Sequence, residues 1–220
     1  MAGAFITFEG IDGSGKSTQL RLIASVLRMQ GLEVVTTREP GGTTLGQQLR
    51  AALLDAQEQV DPLAELLVFA ADRAQHVRRQ LRPAIESNHV VLSDRYADST
   101  VAFQGAGRGF DEKLISQIVQ LATEGLKPDL TLLFDSPVAE CVTRTRRRHE
   151  GKTKGDRIDA EDIEFHTRVR DAYLRIAAGE PERVRLINAG GAVQETHQLV
   201  VEIILPFLKQ RGLLKDQLNG

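Results

Sequence analysis

Apolar residues along the chain fall into two alternating kinds of pattern. Five short runs, Ala4–Glu9, Glu33–Thr37, His89–Asp94, Leu130–Asp135 and Val184–Asn188, have continuous apolar cores such as Val90-Val91-Leu92 and Leu132-Leu133-Phe134. Strict alternation would mark strands with one wet face, whereas continuous runs mark strands covered on both faces, as in parallel sheets. The stretches between them carry helical periodicity. Leu20, Ile23, Ala24 and Leu27 recur at i, i+3, i+4 and i+7, and Gly31 stands where a C-terminal cap would end the helix. Asp61-Pro62 reads as an N-cap and first helical residue, opening a stripe of Leu63, Leu66, Leu67, Ala70, Ala74 and Val77. Asp111 caps a helix bearing Leu114, Ile118 and Leu121, and Val200, Ile203, Ile204 and Phe207 form a last stripe in which Pro206 predicts a kink. This alternation predicts an α/β fold in three layers, with a five-stranded, mainly parallel sheet flanked by helices. Ligands of such sheets sit beyond the carboxyl ends of the strands.

The most specific local pattern lies where the first strand gives way to the first helix. Gly10-Ile11-Asp12-Gly13-Ser14-Gly15-Lys16-Ser17, followed by Thr18, fits G-x-x-x-x-G-K-[ST] between elements of the right type. Gly10, Gly13 and Gly15 let the backbone curl so that N–H groups point inward at phosphate oxygens. The helix start near Lys16 adds its positive dipole end. The Lys16 ammonium would reach the β/γ-phosphates of a nucleoside triphosphate, and the Ser17 hydroxyl would ligate Mg²⁺. The motif predicts the P-loop NTPase fold. A guanine-reading N-K-x-D segment is missing after the late strands, which continue Ser136-Pro137-Val138 and Ala189-Gly190-Gly191.

Other residues fall at the same end of the sheet. Asp94 and Arg95 close the third run, where an acid can hold Mg²⁺ or its waters and a guanidinium can grip phosphate bidentately; read alone, they equally describe a local ion pair. Arg38-Glu39-Pro40-Gly41-Gly42-Thr43 follows the second run and is either a special loop or a plain turn. Phe69 and Arg73, one helical turn apart, lie off the main stripe of their helix, as a base-stacking pair or as a second packing face. From Arg144 to Arg157, seven basic residues against Glu150 and Asp156 leave +5 locally in a chain of net charge −2. With Gly151 and Gly155 nearby, the stretch reads as a mobile basic lid over transferring phosphates, a solvated helix end or a nucleic-acid patch. The five histidines show no metal-ligand spacing.

Composition narrows the alternatives. With 220 residues, 41% hydrophobic and 26% charged, the chain is that of an ordinary globular protein, a single domain over 1–220 with a lid at about 144–157. Its near-neutral balance supplies no global field for nucleic acid or anionic membrane. The one cysteine, Cys141, excludes an internal disulfide and suits a reducing compartment, and it reads as a packed helical residue. Ala4–Phe8 is too short for a signal or a membrane span, so the sequence predicts a cytoplasmic protein.

The motifs together resemble the bacterial thymidylate kinases. Phe8-Glu-Gly-Ile-Asp-Gly-Ser-Gly-Lys-Ser-Thr18, Thr37-Arg-Glu-Pro-Gly-Gly-Thr43, Leu67–Arg73, Asp94-Arg-Tyr96, Phe103-Gln-Gly-Ala-Gly-Arg-Gly109 and Asp156-Arg-Ile158 run in that family's order over nearly the whole chain. The resemblance implies γ-phosphoryl transfer from ATP to dTMP with Mg²⁺, giving dTDP and ADP, by a homodimer joined through helices beside the sheet. It implies that residues 10–18 bind ATP and that Ser17 and Asp94 hold the metal. Asp12 would contact the deoxyribose 3′-hydroxyl, Arg95 would hold the dTMP phosphate with help from Arg38, and Phe69 would stack on thymine. Arg73 would bind the base edge, with Thr100, Phe103 and Gln104 nearby. Gly13 stands where some eukaryotic relatives have Arg, so arginines of the lid, from among Arg146, Arg147, Arg148 and Arg157, would supply transition-state charge beside Lys16 and Arg95. Four departures stand out: Phe103 where Tyr is frequent, Asp159 where Glu is common, Asn188 in place of a frequent Asp, and a lid insert, Glu150–Gly155, longer than in many relatives. Two rival readings remain, a P-loop kinase for another acceptor and a nucleic-acid-dependent ATPase using residues 144–157.

Overall fold

The computed structural model describes residues 3–54, 56, 58–149, 157–158 and 160–214, the side chains of 148 and 149 excepted. Its strands are β1 (Ala4–Glu9), β2 (Val34–Arg38), β3 (Val90–Asp94), β4 (Leu130–Asp135) and β5 (Val184–Asn188). They form one five-stranded sheet in the order β2-β3-β1-β4-β5, and every pairing is parallel rather than merely most of them. Each apolar run is within one residue of a strand. The register aligns Phe8 with Asp94, and Arg38 with the same Asp94, so the carboxyl ends of the three strands bearing the candidate residues are level.

The helices are α1 (Lys16–Met29), α2 (Thr44–Leu54), α3 (Pro62–His76), α4 (Arg82–Glu86), α5 (Ala97–Thr100), α6 (Glu112–Thr123), α7 (Val138–His149), α8 (Ile163–Gly179) and α9 (Val193–Gln210). Two π-helical segments, Val77–Leu81 and Val101–Gly107, continue α3 and α5. Alternate residues of β1 explain the layers. Ala4, Ile6 and Phe8 pack with Leu20, Ile23 and Leu27 of α1 and Val200, Ile204 and Leu208 of α9. Phe5 faces the other way, onto Val77, Leu81 and Tyr96. Farther along that second face, Leu133 packs with Phe103, Phe165, Val169 and Tyr173. The three central strands β3, β1 and β4 are therefore dry on both sides, as their continuous apolar runs require, while the edge strands β2 and β5 are partly exposed.

Caps sit where the sequence puts them. The Asp61 carboxylate accepts from the Leu63 and Ala64 N–H groups, and Asp111 does the same for Lys113 and Leu114. Two stripes are corrected. Leu63 and Leu67 are 47% and 52% exposed, whereas α3 buries Glu65, Leu66, Asp72, Arg73 and His76. A charged face can turn inward here because every one of those ionic groups has an internal partner, as shown below. In α6 the buried residues are Ile115, Ala122 and Thr123, while Leu114 and Leu121 are exposed. Helix α9 runs through Pro206 without a break. Residues 144–149 of the basic stretch continue α7 rather than forming a loop; residues 150–156 and Asp159 lie outside the described residues. Among the described residues no helix is long and apolar enough to cross a membrane.

Candidate active site

The phosphate loop is set by where β1 stops. After Glu9 the chain turns through Gly10, Gly13 and Gly15, at φ of 136°, 83° and 91°, and enters α1 at Lys16. At Gly13 a Cβ would lie 2.3 Å from the Cys141 carbonyl oxygen and 2.8 Å from Thr145 Oγ1. The backbone of α7 thus occupies the space a side chain would need, and no arginine fits there. No side chain caps the N-terminus of α1, and Ser14 Oγ is buried without a hydrogen-bond partner. Both features leave polar groups turned to the loop's interior.

Around this loop the charges converge. Lys16, 4% exposed, lies 3.3 Å from Asp12 Oδ1 and 4.0 Å from Asp94 Oδ1. The Ser17 hydroxyl donates to Asp94 Oδ2, while Asp94 Oδ1 is buried with no hydrogen bond. Arg95 donates to Asp12 Oδ2 at 2.7 Å, and its guanidinium stacks 4.7 Å over the Phe103 ring. Enclosure alone would raise the Asp12 carboxyl, but Arg95 and Lys16 outweigh it and hold the group well below the usual carboxylate range. The Arg95 backbone has φ of 75°, a left-handed conformation that costs a non-glycine residue about 1–3 kcal/mol. That turn carries its side chain from the end of β3 back across the loop.

Beneath Arg95 lies Glu9, fully buried. Its Oε1 accepts from the Tyr96 N–H at 2.7 Å, and its Oε2 forms a triangle with Ser99 Oγ and Tyr173 Oη, with edges of 2.7, 2.8 and 2.8 Å. Arg95 Nη1 donates to both hydroxyl oxygens at 3.2 Å. Three short O···O edges need three protons, and Ser99 and Tyr173 supply two. A proton on Glu9 completes the set. Burial, with the Asp98 charge adding to it, accordingly pushes Glu9 up to about 7, against the opposing pull of Arg95.

The cleft beyond these residues has a volume of about 210 Å³. Asp12, Lys16, Ser17, Asp94 and Arg95 line its phosphate end, and Phe69, Arg73, Thr100, Phe103 and Gln104 line the other, with Arg38 exposed on its wall. Phe69 and Arg73 therefore do share a cavity. Arg73 is held from three sides: Nε donates to Glu39 Oε2 at 2.7 Å, Nη1 to Thr100 Oγ1 at 2.6 Å and Nη2 to the Tyr96 carbonyl at 2.8 Å. Glu39, on the loop with a cis Glu39–Pro40 peptide, also accepts from His76 Nδ1 at 2.8 Å. Its burial favours protonation, yet Arg73 and His76 keep it below the ordinary range. Asp72 Oδ1 accepts from Gly41 N–H at 3.1 Å, and burial, with the charge of Glu39, raises its carboxyl to about 6.

The lid arginines stand apart. Arg146 and Arg147 are exposed on α7 and do not line the cleft. Arg157 pairs with Glu65, and only its neighbour Ile158 reaches the cleft wall. Of the remaining loop residues, Gly10, Ile11, Gly13, Ser14, Gly15 and Thr18 contribute the turn and helix start rather than cleft-lining side chains. Asn188, at the end of β5, is exposed and accepts from the Gly190 N–H at 3.2 Å. Sequence reasoning missed the buried acids Glu9, Glu39 and Glu65, although each lies inside or beside a quoted motif. The signal was available at Glu9, an acid ending an otherwise apolar strand.

Known proteins of one family are similar to this chain over most of its length. The family model described as Thymidylate kinase matches residues 8–200. A thymidylate kinase of Geotalea uraniireducens (strain Rf4) is 46% identical over 211 residues, covering 94% of this chain and 99% of its own. One from Clavibacter sepedonicus is 50% identical over 190 residues, covering 86% and 89%. The crystal structure of thymidylate kinase from Ehrlichia chaffeensis superposes with a TM-score of 0.76 at 36% identity, over 93% of this chain and 99% of that one. Likeness at this level, carried from residue 8 to residue 200, places the chain in the thymidylate kinase family.

Proposed function

We propose that this cleft transfers the γ-phosphoryl group of ATP to dTMP, forming dTDP and ADP on the route to dTTP. The observation that carries the reading is the joining of two half-sites in one cavity: the phosphate loop with Lys16 at one end, and Phe69, Arg73 and Gln104 at the other. Asp12 and Arg95, 2.7 Å apart, lie where the two halves meet. In this reading residues 10–18 cradle the ATP phosphates. Arg95, with Arg38, grips the acceptor phosphate, and Asp12 accepts from the deoxyribose 3′-hydroxyl. Phe69 stacks on thymine, and the N–H groups of Arg73 not engaged by Glu39, Thr100 and Tyr96 reach the base edge. Phe103 closes the sugar side.

The acceptor is a phosphate oxygen, already ionised at neutral pH because its second pKa is about 6. No general base is needed, and rate comes from alignment and charge stabilisation. Ser17 and Asp94 suit Mg²⁺: both offer hard oxygen donors, and Asp94 Oδ1 is buried without a hydrogen bond. Among the described residues there is no group of three or more His, Cys, Asp or Glu side chains that could hold a metal, so Ser17 and Asp94 would hold an ion here together with the nucleotide. When bound, the ion neutralises charge on the β- and γ-oxygens. Arg146, Arg147 and Arg157 contribute transition-state charge only after a closing movement, since none lines the cleft in this structure.

A homodimer fits the same reading. Helices α3 and α6 pack together, and each leaves leucines outside: Leu63 and Leu67 on one, Leu114 and Leu121, the last 80% exposed, on the other. Both substrates are highly charged, which favours a cytoplasmic setting. A coupled assay with ATP and each of dTMP, dUMP, dCMP and UMP tests the proposal. It expects clear preference for dTMP, and equal turnover of all four would refute it.

A further inference from the structure

Glu65 is buried on the cleft side of α3, 1% exposed, one helical turn before Phe69 and two before Arg73. Its Oε1 accepts from Gln104 Nε2 at 3.0 Å and from Arg108 Nε at 3.1 Å. Its Oε2 accepts from Arg108 Nη2 at 3.0 Å and from Arg157. Two guanidinium groups on one buried carboxylate keep it ionised. Burial opposes the charge, but the hydrogen bonds from Arg108, Arg157 and Gln104 prevail and hold the carboxyl below its ordinary range.

An ionised carboxylate can only accept hydrogen bonds. The Gln104 atom that meets Glu65 must then be the amide nitrogen, and the planar amide turns its carbonyl oxygen the other way. That oxygen receives no hydrogen bond from any described residue, and Gln104 lines the cleft with Phe69 and Arg73. The base end of the cleft therefore offers N–H groups from Arg73 and a carbonyl from Gln104. Thymine and uracil present the complement, an acceptor at O4 and a donor at N3–H. Cytosine presents the reverse, a donor at its 4-amino group and an acceptor at N3. We propose that Glu65 is a positioning residue for base selectivity: by pinning the Gln104 amide nitrogen it fixes which polarity the cleft shows to the base. The inference rests on the reading of this cleft as the dTMP site.

The test replaces the anion by its isostere. The amide introduced by Glu65→Gln can donate or accept, so Gln104 is free to present either end of its own amide. The expected result is a fall of roughly tenfold or more in the kcat/KM ratio of dTMP over dCMP, carried by the nucleotide KM, with the KM for ATP unchanged. Arg108→Gln disturbs the same buried cluster but leaves Glu65 an acceptor, and should lower stability without moving the ratio. Should Glu65→Gln not fold, Glu65→Gln with Arg108→Gln removes the surplus cation as well and carries the same measurement. A ratio within twofold of wild type in the folded Glu65 variant overturns the proposal, as does a shift of equal size in Arg108→Gln alone. Wild-type protein that fails to phosphorylate dTMP overturns the underlying reading too, and that is seen before any variant is assayed.

Discussion

Replacing Glu39 by alanine tests how the base end of the cleft is built. The Glu39 and Arg73 side chains are only 3% and 4% exposed, and Glu39 also accepts a hydrogen bond from His76 Nδ1. Removing the carboxylate leaves a buried guanidinium with two neutral acceptors, Thr100 Oγ1 and the Tyr96 carbonyl. Breaking one partner out of a buried ion pair costs about 3–5 kcal/mol, because the remaining charge keeps its desolvation penalty. In a chain of this size each kcal/mol moves the midpoint by about 2–4 °C, so Glu39→Ala should melt roughly 6–20 °C lower. Thermal unfolding followed by circular dichroism measures this directly. Arg73→Met with Glu39→Ala should lose less than the sum of the two singles, by about 2 kcal/mol or more, since neither charge is then stranded. Because Glu39 is held below its ordinary pKa, its contribution is present above the unfolded value and fades as pH falls through the folded one. The gap between wild type and Glu39→Ala should thus narrow in acid. A loss under about 1 kcal/mol at pH 7, or strict additivity in the double variant, would refute the reasoning.

Other outcomes follow from the same site. Lys16→Ala and Arg95→Ala should each lower kcat by about two orders of magnitude or more with the fold retained, as lost charge stabilisation does; near-normal turnover in either removes it from the catalytic set. Asp94→Asn should raise the Mg²⁺ concentration needed for half-maximal rate by roughly tenfold, read from a metal titration at fixed ATP, and an unshifted curve would rule out its metal role. Glu9, raised to about 7, favours its neutral form in the fold, so the stability it confers is present in acid and lost as pH rises from about 4.5 to 7. That amounts to roughly 3 kcal/mol. Glu9→Gln should flatten this part of the Tm–pH profile, and a profile parallel to wild type would show that Glu9 titrates elsewhere.

Strand positions were legible in the sequence because a buried parallel strand leaves no choice but a continuous apolar run. The phosphate loop was legible because its glycines serve φ values that other residues avoid, and Arg95 because it directly follows a strand at the ligand end of the sheet. Helix α3 was harder. Its leucines suggested an inward face, whereas the structure turns Glu65, Asp72, Arg73 and His76 inside and leaves Leu63 and Leu67 out. Single-chain periodicity assumes that charge faces water, and fails where distant partners such as Glu39, Gln104 and Arg108 neutralise it. The bonds that hold the base end together join residues 23 to 92 positions apart, from Arg73–Tyr96 to Glu65–Arg157. No local window contains both ends.

The π-helical segment Val101–Gly107 has a consequence for how this cleft tolerates change in length. Thr100 lies just before it, and Phe103 and Gln104 lie within it. A π-turn holds one residue more than an α-turn, so deleting one residue there would restore ordinary helix. The turns on either side would keep their phase, because a π-turn absorbs its surplus residue within itself. What would change is the bulged turn, which carries Phe103 and Gln104. A one-residue gap in a homologue at 101–107 would thus reshape this stretch of the cleft wall and leave the chain on either side of it in place.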